Sequence, residues 1–85
     1  MASDRNIEEI LRHDVERTHH VYKAEAAILQ RTVRDAPSGI PYPDSVTRIK
    51  NAADSHDRAL SAYRLALQRF NDYHLRRIVP DDLKA

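Results

Sequence analysis

The sequence predicts an all-α fold, an antiparallel two-helix hairpin that dimerises into a four-helix bundle. Three observations carry that expectation. Residues Asp4 to Ala36 and Asp44 to Arg77 contain neither Pro nor Gly and are rich in good helix formers such as Ala, Leu and Arg. Between them, Pro37-Ser38-Gly39-Ile40-Pro41-Tyr42-Pro43 gathers three of the four prolines and the only glycine. Both long segments also place apolar residues at helical spacing, on stripes wider than one helix pair can cover.

One domain spans residues 1–85, and its first element is a helix over about 4–36. Asn6 and Glu9 have the spacing of a capping box, and Ser3 is an alternative cap one turn earlier. The Pro/Gly segment at 37–43 ends this helix, because proline lacks the backbone donor and pushes its predecessor out of helical geometry. A connection this short turns the chain straight back. The second helix runs over about 44–77, with Pro43 suited to the first helical position and Asp44 to a cap or a first-turn anion. Pro80 closes it and leaves a tail over 78–85.

The apolar stripes explain why one hairpin is an incomplete molecule. At 100° per residue, the first helix gathers Ile7, Ile10, Leu11, Val15, Val21, Tyr22, Ile28, Leu29, Val33 and Ala36 on one side. The second gathers Val46, Ile49, Ala52, Ala53, Leu60, Tyr63, Ala66, Leu67, Phe70, Leu75 and Ile78. Each stripe spans roughly 140–180°, against the narrow a/d seam that two helices share. An 85-residue chain also has little core to set against an ordering cost of about 1–2 kcal/mol per backbone residue. Pairing two hairpins covers the surplus, and a C2 homodimer is the commonest closed assembly. The expected interface residues are Ile10, Val21, Ile28, Leu60, Leu67 and Phe70. A higher oligomer or another helical protein would bury the same surface.

Polar residues interrupt both stripes. Asp14, Thr18, Glu25 and Thr32 fall within the first, and His56 and His74 near the centre of the second. In a hairpin turning near residue 40, residue i faces about residue 80 − i, which puts Glu25 beside His56. Asp14, Thr18 and His74 are the other buried polar candidates. The ordinary reading of Glu25 and His56 is an internal pair that fixes register. The alternative is a metal centre. Two-fold symmetry would bring two carboxylates and two imidazoles to the bundle axis, a donor set that suits zinc or iron. The E-x-x-H sequence at Glu16 to His19 is out of phase with the stripe and reads as solvated.

Composition narrows the functional classes. Without cysteine there is no disulfide framework and no thiolate zinc site. One glycine argues against a phosphate-cradling loop, and no nucleophile–base set appears, so an enzyme is not the expectation. No apolar run reaches the roughly 18 residues of a membrane span, and the first residues lack a signal peptide's apolar centre. A cytoplasmic location is therefore expected. Arg58, Arg69 and Arg76 share an outer face with Asp54 and Asp72 interleaved, unlike the unbroken positive charge of a nucleic-acid surface. What fits is a structural or regulatory interaction module whose partner is itself or another helical protein, with no cofactor. Ile40 and Tyr42 in the loop are a second expected contact. The apolar tail residues Ile78, Val79 and Leu83 are expected to dock on a partner hairpin.

Overall fold

The structure, a computed structural model, describes residues 4–35 and 43–84. Two helices, α1 (Asp4–Asp35) and α2 (Pro43–Arg76), lie side by side, followed by a single 3-10 turn over Asp81–Leu83. No strand occurs among the described residues. α1 has 32 residues and α2 has 34. Each is therefore about 50 Å long at 1.5 Å per residue. The hairpin is a rod, 57 × 20 × 17 Å. The expected loop contacts Ile40 and Tyr42 lie outside the described residues.

The ends differ from the sequence reading in small ways. α1 is already helical at Asp4, so Asn6 sits inside the first turn rather than capping it. α2 opens at Pro43, where a missing N–H costs nothing because the first helical donors have no intrahelical partner. Its C-terminus is closed by a residue that sequence alone did not single out. Arg77 is left-handed, with φ 58°. Its N–H donates to the Tyr73 carbonyl at 3.1 Å, and the Ile78 N–H donates to the Asp72 carbonyl at 3.2 Å. This is the left-handed helix stop in which glycine is usual, since a Cβ there costs about 1–2 kcal/mol. Arg77→Gly should therefore stabilise the chain. The relieved strain exceeds the added freedom of the unfolded chain by about 0.5–1 kcal/mol, a rise of a few degrees in the thermal midpoint. An unchanged or lowered midpoint would mean that the arginine side chain compensates the strain.

The core sits at the end of the rod away from the connection. Ile7, Leu11 and Tyr73 form a buried cluster, with Phe70, Val79 and Leu83 packed against it. The reversal at Arg77 makes this possible, because it sends the tail back over the helix ends. Val79 and Leu83 thus cover their own hairpin, not a partner's, while Ile78 stays 48% exposed. An ion pair pins the tail: Arg69 Nη2 donates to both Asp82 carboxylate oxygens, at 2.9 and 2.8 Å.

Along the rest of the rod, the seam between the helices is built from small residues. On α2 the buried positions are Ala52, Ala59, Ala66 and Tyr73, each seven residues after the last. Facing them on α1 are Leu11 and Thr18, also seven apart and 1% and 3% exposed. A seven-residue repeat keeps one line of each helix against its neighbour. Alanine along that line lets the backbones approach closely. Thr18 is the one buried polar side chain among the described residues, and its hydroxyl donates within its own helix. The acceptors are the Asp14 carbonyl at 2.7 Å and the Val15 carbonyl at 3.2 Å. It therefore occupies the seam without leaving a polar atom unsatisfied.

Candidate functional site

A two-helix seam has two long edges, and the side chains along them are quite different here. Contacts across the seam fix which residues belong to which edge. On one, Asp14 of α1 reaches Arg69 of α2 at 3.8 Å. On the other, His19 and Tyr22 of α1 meet Tyr63 and His56 of α2.

The first edge is charged. Arg17 Nη2 donates to Asp14 at 2.6 Å, and Arg69 bridges from Asp14 to Asp82 in the tail. Asp14, Arg17 and Arg69 line an open groove of about 770 Å³ together with Asn6, Ile10 and His13. Farther along the same edge, Glu25, Ile28, Thr32, Arg48 and Ser55 line a second groove of about 310 Å³. The Thr32 hydroxyl donates to its own helix, at the Ile28 carbonyl, 2.7 Å away. Glu25 is half-buried and forms no ion pair among the described residues.

The second edge is aromatic. Tyr22 and Tyr63 stack with centroids 5.9 Å apart and planes 13° from parallel. His19 extends the stack from Tyr63 at 5.0 Å, and His56 extends it from Tyr22 at 5.4 Å. His56 Nδ1 also lies 3.2 Å from Asp57 Oδ1 on its own helix. Nearer the core end, His74 packs on Phe70 at 4.3 Å and on Tyr73 at 5.5 Å. Its Nε2 is 3.7 Å from Glu8.

This arrangement revises several expectations. Glu25 and His56 come to the same height along the rod, as the register requires, yet no hydrogen bond or ion pair joins them. They leave the seam on opposite edges, Glu25 towards Ser55 and His56 towards Tyr22. The register was right and the rotation was not. Among the described residues no three His, Asp or Glu side chains are grouped so as to hold a metal ion. The zinc or iron reading thus has no ligand cluster within one chain. Of the other polar candidates, Thr18 is buried, Asp14 is partly covered and ion-paired, and His74 is exposed rather than buried. Glu16 is exposed, and His19 is engaged with Tyr63.

The six expected interface residues also fall apart. Ile10 and Ile28 line the charged-edge grooves, and Val21 shares their helical phase. Leu60 lies one turn from both His56 and Tyr63, so it belongs to the aromatic edge, and Leu67 continues that line one turn beyond Tyr63. Phe70 is spent on the internal core. Sequence reasoning missed Arg69, read there as a solvated outer-face arginine. Its signal was available, since it lies three residues after Ala66 and four before Tyr73, on the flank of the seam. Comparison of the chain with family models, with curated proteins and with solved structures finds no match.

Proposed function

We propose that this chain is a small structural or regulatory interaction module that works by self-association through its amphipathic helices. The observation that supports it is a mismatch between surface and mass. A compact monomer of 9.8 kDa exposes about 5,200 Å², whereas this chain exposes 6614 Å². The radius of gyration is 17.8 Å, against about 12 Å for a compact chain of 85 residues. The excess of roughly 1,400 Å² is larger than the roughly 800 Å² that each partner contributes to a standard interface.

Much of the surplus is apolar. Ile10, Val21, Ile28, Val33, Val46, Leu65, Leu75 and Ile78 are all at least 41% exposed. Leu11 is the only large side chain among the described residues to be fully buried. Among the described residues no helix is long and apolar enough to cross a membrane. A second copy is the occupant that needs no further gene product, and its symmetry suits a uniform rod.

Sedimentation equilibrium tests this directly. The weight-average mass should rise with concentration towards twice the 9.8 kDa of one chain. A mass that stays at one chain up to about 1 mM, the weak end of specific affinity, would remove self-association as the function. Another helical protein would then be the remaining partner class.

A further inference from the structure

Building on self-association, we propose that the second copy docks on the aromatic edge, along a second seven-residue repeat that both helices carry beside the first. On α1 the repeat is Val15, His19, Tyr22, Ala26, Leu29 and Val33, with alternating steps of four and three. On α2 it is Ile49, Ala53, His56, Leu60, Tyr63 and Leu67, with the same steps. Such spacing is that of an a/d seam, and the seam facing the partner helix within the hairpin is already a different one. The ring contacts from Tyr22 to His56 and from His19 to Tyr63 show that both repeats open on one edge. Each hairpin therefore offers two parallel rows to a neighbour, which is what a four-helix bundle packs at about 20°.

The composition of the two edges decides between them. None of these positions holds Asp, Glu, Lys or Arg. Most are half-buried, covered on one flank by the other helix and open on the other. On the charged edge, Ile10, Val21 and Ile28 come from α1 alone, separated by eleven and seven residues. They are bordered by Arg17, Glu25 and Arg69. Burying them against a second copy would also desolvate those charges, which costs free energy unless each one finds a partner. The centre of the aromatic edge is different. The stacked Tyr22 and Tyr63 are large, rigid and amphipathic, the type of residue that anchors interfaces. Among the described residues neither tyrosine hydroxyl has a hydrogen-bond partner, which leaves both to groups of the second copy.

The test compares two double variants by sedimentation, with helicity followed by circular dichroism. Leu60→Glu with Leu67→Glu should reduce the mass to one chain, and Ile10→Glu with Ile28→Glu should leave the dimer intact. The reverse result would overturn the edge assignment while leaving self-association standing. A wild-type chain that is itself monomeric would overturn the underlying reading instead. Because charge on the aromatic edge could unfold a hairpin that depends on its partner, thiol protection gives a second readout, and the chain has no native cysteine to confuse it. In Ala53→Cys, alkylation should be about fivefold slower at a chain concentration of ten times the dissociation constant than at high dilution, because roughly one fifth of the chains are then monomeric. In Val21→Cys it should not change with concentration. Equal rates at Ala53→Cys across concentration would overturn the proposal.

Discussion

Leu11→Ala is expected to cost about 2–5 kcal/mol, the largest effect of any single truncation in this chain. Leu11 is 1% exposed and packs with Ile7 and Tyr73 under the returning tail. Removing three carbons there opens a cavity that the surroundings cannot easily refill, since Tyr73 is held by its helix and Val79 and Leu83 by the reversal at Arg77. The helix itself loses nothing, because alanine is at least as good a helix former as leucine. Against a total stability of about 4–13 kcal/mol for a chain of this length, the loss runs from roughly a sixth of the total upward. Urea denaturation at fixed protein concentration reads it as a drop in midpoint, with concentration held constant because the proposed dimerisation would add to apparent stability. Leu65→Ala is the control: Leu65 is 56% exposed and its truncation should change stability by less than about 0.5 kcal/mol. If Leu11 and Leu65 behave alike, the cluster at the termini is not the core of the molecule.

The hairpin was legible in the sequence because its signals are local. Pro37, Gly39, Pro41 and Pro43 interrupt two long uninterrupted helical stretches, and nothing nonlocal is needed to read that. The register was legible too, since a short connection leaves few ways to align the helices: Ile7 does pack with Tyr73, and Tyr22 with His56. Rotation about each helix axis was not. The broad apolar stripe on each helix is the sum of the inner seam and the row on the aromatic edge, and its centre points between them. On α2 the inner seam is alanine, which adds little to any hydrophobic average, so the heavier Leu60, Tyr63 and Leu67 pulled the apparent centre towards the aromatic edge. That is why His56 and His74 looked buried and why Glu25 was matched with the wrong side. The tail was misread for a related reason. Its fate depends on the left-handed turn at Arg77, a conformation for which arginine gives no sequence signal.

Replacing both Ala59 and Ala66 by leucine should separate the helices and weaken self-association at the same time. These alanines are 8% and 2% exposed and lie on the line where the backbones come closest. Each leucine adds three carbons to a gap already filled by a methyl group, and overpacking of that kind costs about 1–3 kcal/mol per site. Leucine's helix propensity is close to alanine's, so a loss of stability reports on the seam and not on the helix. Ala62→Leu serves as the comparison, because Ala62 is exposed on the same helix and the change there should be nearly neutral. The consequence reaches the aromatic edge. Tyr22 and Tyr63 sit on opposite helices at 5.9 Å, a separation set by the alanine seam between them. Wedging the seam open pulls the two rings apart, which near-ultraviolet circular dichroism of tyrosine would record. It also spreads the two rows on which the proposed second copy would dock. Sedimentation of a variant that stays helical should therefore show a larger dissociation constant than the wild type. If the double variant is destabilised but associates as tightly as before, the edge does not depend on the seam, and the spacing of the two rows is set by the dimer itself.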